Sequence, residues 1–174
     1  MLENAALPTL FLTAERAEDG AVAADVDRFR SFTLLDEFAA ALPSLFLVLN
    51  QQRQIVFANH ALIELLGLAS MDEVVGLRVG EALECMHGNE PPHGCGTTEF
   101  CHTCGAARVM AASLRGRPDE QECRILRKDG SALDLRVRAR PLDLDGNRYL
   151  LFAINDISHE QRRLALERIF FHDI

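Results

Sequence analysis

No run of residues in this sequence is apolar for the roughly 20 positions a bilayer-spanning helix needs, so a transmembrane segment is not expected. Positive charge is scarce: 18 Lys and Arg stand against 26 Asp and Glu, a formal net charge of −8. Phosphate backbones are gripped by clustered Lys and Arg, so this balance argues against nucleic acid as a partner. The basic residues that do bunch, Arg136, Arg138 and Arg140, alternate as they would on the wet face of a strand. A basic leader is missing as well. The chain opens on acidic Glu3, and its apolar run from Leu7 to Leu12 is too short for a secretion signal, so a cytoplasmic chain is expected. Neither a Gly-rich phosphate loop nor a C-x-x-C-H haem-attachment motif occurs.

What is present is ordinary for a globular chain: 174 residues, 48% of them apolar and 25% charged, enough for one domain with helical extensions. After a weakly structured lead-in over residues 1–20, Phe29, Phe32, Leu35, Phe38 and Leu42 recur at helical spacing and predict a helix from about Val22 to Leu42, ended by Pro43. Strands are predicted over Ser44–Asn50 and Gln54–Ala58, with Asn59 as N-cap of a helix stopped by Gly67. Short helices follow near Met71–Val75 and Val79–Leu83, and a longer one from Ala106 to Leu114. Three strands close the pattern, at about Glu120–Arg127, Ala132–Leu142 and Arg148–Asn155, separated by turns at Lys128-Asp129-Gly130 and Asp145-Gly146. A charged helix runs from Ser158 to Ile174. Strand, strand, helices, then three strands implies an α+β fold, an antiparallel sheet covered by helices on one face.

On these residues the chain resembles PAS domains. The block FLVLNQQRQIVFANHALIELLG is similar to their opening, RKDGSALDLRVRARPL to their late hairpin, and LLFAINDISHEQRR to their last strand and outgoing signalling helix. The resemblance implies a five-stranded antiparallel PAS-like sheet over residues 44–156. An N-terminal lead-in and amphipathic helix over 1–43 and a signalling helix over 157–174 flank it. The Asn-Cys-Arg flavin signature of light-sensing PAS relatives is absent.

Residues 85–104 break the pattern. They hold Gly, Pro, His and Cys, and place Cys85, Cys95, Cys101 and Cys104 at C-x9-C-x5-C-x2-C. Four clustered cysteines in a chain kept inside the cell point to metal or redox chemistry before structural disulfides. Such a set suits tetrahedral zinc or an iron–sulfur cluster. Glycines at 94, 96 and 105 let the backbone bend around it, and the helix after Cys104 turns its N-terminus toward the thiolates. Between Arg78 and Arg108 there is no Lys or Arg, so charge compensation is expected from metal, backbone N–H groups or His87, His93 and His102. With little to bury, the loop is expected to need a metal to order it, since each ordered residue costs about 1–2 kcal/mol and metal binding returns on the order of 10. Cys123 stands apart as a buried strand cysteine.

The closing LERIFFHDI resembles the start of a histidine-kinase phosphoacceptor box, implying His172 as phosphoacceptor and Asp173 as its general base. No ATP-binding domain is present, so an enzyme is expected only in a longer protein, of which this is the sensor segment. The leading expectation is a redox or oxygen sensor of a two-component histidine kinase, with an iron–sulfur cluster slightly preferred to zinc. It pairs as a homodimer through its N- and C-terminal helices and signals through its own kinase domain to a response regulator. The alternatives are a small-ligand PAS module with a structural zinc clip, and a dithiol switch at Cys101 and Cys104.

Overall fold

The computed structural model describes residues 9–172, with side chains described through Phe170. Five strands, β1 (Leu45–Leu49), β2 (Ile55–Ala58), β3 (Asp119–Leu126), β4 (Ala132–Leu144) and β5 (Asn147–Asp156), form one antiparallel sheet in the order β2-β1-β5-β4-β3. The β4–β5 turn is set by Asp145 and Gly146 at φ 50° and 78°, the pair of positive angles a two-residue hairpin requires. β1 pairs with β5 from Leu45↔Ile154 to Leu49↔Leu150, which joins the first hairpin to the last.

Period-two alternation then sorts the strand side chains between two cores. On one face Leu47, Leu49, Val137, Ala139, Phe152 and Ile154 pack against α3 (His60–Leu66), α4 (Val79–Ala82) and α5 (Gly105–Leu114) through Leu62, Val79, Val109 and Met110. On the other, Val48, Val56 and Tyr149 meet Val22, Val26 and Phe29 of α1 (Asp19–Arg30). Phe29 stands edge-on to Tyr149 with ring centroids 4.8 Å apart, and the Tyr149 hydroxyl donates to Asp25. Burial and that bond push Tyr149 up to about 12. Phe29→Ala should therefore undock α1, lowering stability by about 3–5 kcal/mol in urea unfolding.

The single N-terminal helix expected over 22–42 is two. The Ser31 hydroxyl donates back to the Arg28 carbonyl at 2.6 Å, Phe32 leaves helical angles, and α2 (Thr33–Ala40) starts anew. The break lets Phe29 stay buried while Phe32, Leu34, Phe38 and Leu42 remain exposed. Asn59 occupies the N-cap position without capping. Its amide donates to the Ala39 and Ser44 carbonyls and its oxygen accepts the Phe46 N–H, so it ties α2 to β1. Gly67, at φ 65°, ends α3 as expected.

The outgoing helix α6 spans Ser158–His172. Ile157, just before it, is buried and donates its N–H to the Asp134 carbonyl at 2.8 Å, so it belongs to the domain core. His172 closes the helix backbone; its side chain and the whole of Asp173 lie outside the described residues. Among the described residues, no helix is long and apolar enough to cross a membrane.

Candidate functional site

The cysteine segment leaves α4 and returns to the sheet at once. Cys85 accepts a place on the end of β3, with the Met86 N–H bonded to the Leu126 carbonyl at 2.8 Å and the Cys85 N–H to the Gly80 carbonyl at 2.7 Å. From there the chain folds back on itself. The Cys95 N–H reaches the Gly88 carbonyl at 2.9 Å, that of Gly94 reaches Glu90 at 2.8 Å, and Thr97 and Thr98 are buried. Backbone bonds and buried threonines hold this loop, and so do two arginines described below.

Two glycines bring the sulfurs together. A Cβ at Gly80 would lie 2.8 Å from Cys95 Sγ, so only glycine lets α4 approach the loop this closely. At Gly105 a Cβ would fall 2.3 Å from the Glu122 carbonyl oxygen and 3.0 Å from Cys123 Cβ. The start of α5 therefore abuts β3 at the one point where β3 carries a cysteine. As a result all five cysteines, Cys123 included, line one cavity of about 360 Å³, floored by Val79, Met110 and Ile125. His87 also lines it, stacked on Phe100 with centroids 4.0 Å apart and bonded through Nδ1 to Glu90 at 2.6 Å. His93 and His102 lie outside it, and His102 contacts the Leu10 carbonyl instead.

The Cys101 sulfur accepts the Gly96 N–H at 3.2 Å, and the N–H groups of His87, of Gly80, and of Ala106 and Ala107 lie so as to favour the thiolates of Cys85, Cys95 and Cys104 respectively. Thr98 Oγ1 adds a second contact to Cys101 at 3.2 Å. Burial nevertheless raises the Cys85 thiol and pushes Cys95 up to about 12. Cys104, the N-cap residue of α5, goes the other way. The neighbouring Cys123 thiol and the α5 N–H groups hold it below the usual thiol range, while Cys123 itself is raised. In the metal-free chain Cys104 should therefore be alkylated before Cys95, its rate levelling off at a lower pH than that of a free thiol. An ordinary thiol, with a pKa of about 8.5, would still be accelerating there. In Cys123→Ala the Cys104 profile should move to higher pH, as peptide mapping after iodoacetamide pulses would read.

Among the described residues, no three Cys, His, Asp or Glu side chains converge tightly enough to hold one ion. The sulfurs surround a space rather than a point. The donor set fits a thiolate-held centre nonetheless: four loop thiols line one cavity, and the backbone N–H groups beside them favour their thiolates.

Behind the loop lie residues that the spacing of the sequence did not reveal. Arg53 and Arg78 are 1% and 0% exposed. Arg78 donates to the carbonyls of Cys95 at 3.2 Å, Ala14 at 3.0 Å and Glu15 at 2.8 Å, and Arg53 donates to that of Thr13 at 2.6 Å. The lead-in expected to be weakly structured is accordingly a strap: the Leu10 and Leu12 N–H groups bond to the Thr97 and Gly96 carbonyls at 2.9 and 2.8 Å. Two cations thus reach the loop from outside the stretch that was read as free of them.

Toward the output end, Cys123 has Glu122 as its chain neighbour on the opposite face of β3. Glu122 accepts from Arg136 at 3.0 Å and from Gln161 of α6 at 3.1 Å, and Arg136 lies 3.7 Å from Glu160 of α6. One strand therefore carries a cavity cysteine on one side and a contact to the exit helix on the other.

Comparison with known proteins fits this architecture. The family model of the PAS domain matches residues 43–159. No curated protein matches. Among solved structures, the PAS domain of nitrogen regulation protein NR(II) from Vibrio parahaemolyticus is 17% identical with a TM-score of 0.52, over 71% of this chain and 98% of that one. A light-oxygen-voltage protein from Rhodobacter sphaeroides is 14% identical with a TM-score of 0.52, over 74% and 68%. An RNA-binding light-oxygen-voltage receptor is 17% identical with a TM-score of 0.55, over 92% of this chain and 42% of that one. At these identities the neighbours speak for the fold alone, and it is the family match across two thirds of the sequence that places it: the chain belongs to the PAS domain family.

Proposed function

We propose that this PAS domain is the cytoplasmic sensor of a two-component histidine kinase, reading redox state or oxygen through a centre held by Cys85, Cys95, Cys101 and Cys104. The observation that carries the reading is the ring of thiols around one cavity, with the Gly96 N–H bonded to the Cys101 sulfur. Sulfurs spread around a space favour a polynuclear iron–sulfur cluster over a single zinc ion, which would need its ligands drawn to one point. When bound, such a cluster supplies an electron couple and sensitivity to oxygen.

The chain's own residues supply the rest. The α5 N-terminus and the Cys123 thiol stabilise negative charge on Cys104, and the stacked Phe100 and His87 line the cavity. A change at Cys104 is passed to its neighbour Cys123, across β3 to Glu122, and so to Gln161, Arg136 and Glu160 at the root of α6. A homodimer through α2 and α6 is supported by the apolar residues these helices leave exposed, Leu34 and Phe38 on one and Leu166, Ile169 and Phe170 on the other. His172 at the end of α6 is the proposed phosphoacceptor, with Asp173 its base. Anaerobically prepared protein should show visible absorption that bleaches within minutes to hours of air exposure. A colourless protein indifferent to air would instead favour the zinc-clip reading, with the apolar floor of the cavity open to a small ligand.

A further inference from the structure

Arg53 and Arg78 pose a charge problem that the protein part of the structure does not solve. Both guanidinium groups are buried, and their acceptors are neutral carbonyls and the Thr13 hydroxyl. Among the described residues neither forms an ion pair with a carboxylate. The nearest acid, Glu81, bonds the Arg78 backbone N–H at 2.9 Å and is paired with a third cation, Arg16. That carboxylate is thus engaged by Arg16, and Arg53 and Arg78 have no carboxylate partner among the described residues. Among the described residues, both buried Nε atoms also lack any hydrogen-bond partner. A buried charge without a counter-ion is strongly disfavoured, and two close together repel as well.

The groups that can balance them lie in the cysteine loop. Arg53 is packed under Gly96, where a Cβ would come within 3.1 Å of its Nε, with Cys95 on one side and Cys101 five residues on. Arg78 holds the Cys95 carbonyl directly. As ligands of the proposed centre, Cys95 and Cys101 would place thiolate charge beside both guanidinium groups. The backbone at Arg53 even adopts φ 68°, the region that favours glycine, yet a side chain is retained there.

We infer that Arg53 and Arg78 are the built-in counter-charges of the cysteine centre, acting as positioning residues that hold its reduction potential up. The inference rests on the thiolate-held centre proposed above. A fixed positive charge beside the centre stabilises the state that has gained an electron, so its removal must lower the potential and removal of the nearby negative charge must raise it.

The test uses the full chain purified anaerobically, with iron and sulfide content measured first and the midpoint potential then taken by optical titration. Arg53→Gln, which keeps a donor for the Thr13 carbonyl, should lower the reduced-to-oxidised ratio at fixed poise about tenfold, a shift of about 59 mV for one electron. Arg53→Lys, which keeps the charge, should restore most of that ratio. Glu81→Gln should move it the opposite way, and the surface control Arg140→Gln should leave it alone. A purely structural clamp gives no such pair of opposite signs. Unchanged potentials in a cluster-bearing Arg53→Gln, or shifts of the same sign in Arg53→Gln and Glu81→Gln, would overturn the inference and leave the centre standing. If Arg53→Gln does not fold, Glu81→Gln and Arg78→Gln carry the same contrast. A wild-type chain without metal would remove both the centre and its counter-charges.

Discussion

Cys95→Ser should strip the metal from the anaerobically purified chain, and Cys85→Ser, Cys101→Ser and Cys104→Ser should do the same. The expected loss of retention is more than about 100-fold, because altering even an outer-shell partner of a metal site costs about 10–100-fold and these are the proposed ligands themselves. Cys95 is the sharpest case. Its sulfur sits against Gly80, where no side chain can move in to replace it, and burial holds the free thiol at about 12, so metal and proton compete for an enclosed site. Cys123→Ser should retain the metal, since the role left to Cys123 is to support negative charge on its neighbour Cys104, which a hydroxyl can also do. Metal analysis of the five variants side by side decides this. Full retention in Cys95→Ser, or equal loss in Cys123→Ser, would mean that the ligand set includes the fifth thiol at the expense of one of the four.

In a protein that carries this chain together with a kinase catalytic domain, His172→Gln should reduce phosphate labelling from ATP to background while His159→Gln leaves it intact. Both histidines lie on α6 and both precede an acid, so sequence alone offers two candidates. The fold separates them. His159 is in the first turn, where the neighbouring Glu160 is drawn toward Arg136 and the helix is rooted on β4 through Ser158 and Ile157. His172 is at the far end, about 20 Å along a helix that rises 1.5 Å per residue, where a catalytic domain can reach it and a rotation of the helix root is felt as a displacement. Neutral imidazole near pH 7 is a competent acceptor. Undiminished labelling of His172→Gln would reduce α6 to a connecting stalk.

The strands and most helices could be read from the sequence because their signals are local. Period-two alternation marks β4, Asp145-Gly146 marks its turn, and Gly67 marks the end of α3. What escaped was set by tertiary packing. The Phe29–Leu42 stripe has helical spacing throughout, yet only Phe29 and half-buried Leu35 find the sheet, because the chain must bend at Ser31 to let α2 reach Asn59. The four loop cysteines announced themselves by clustering, whereas Cys123 joined them only through a close approach of α5 to β3 that a glycine permits. One signal for it was available: Cys123 and Ile125 are in phase along β3, so both face the side on which α5 lies. The buried arginines had no such signal. Arg53 sits in a turn and Arg78 ahead of a helix, positions where a charged residue ordinarily faces water, and only the strap over residues 10–15 encloses them.

The central claim is that the ring of thiols holds an iron–sulfur centre, and the most direct measurement is the iron and acid-labile sulfide content of the unaltered chain, purified without exposure to air. The prediction is a brown protein holding iron and sulfide in equal, stoichiometric amounts per chain. A colourless protein with one zinc per chain, or a metal-free chain with five titratable thiols, would contradict it.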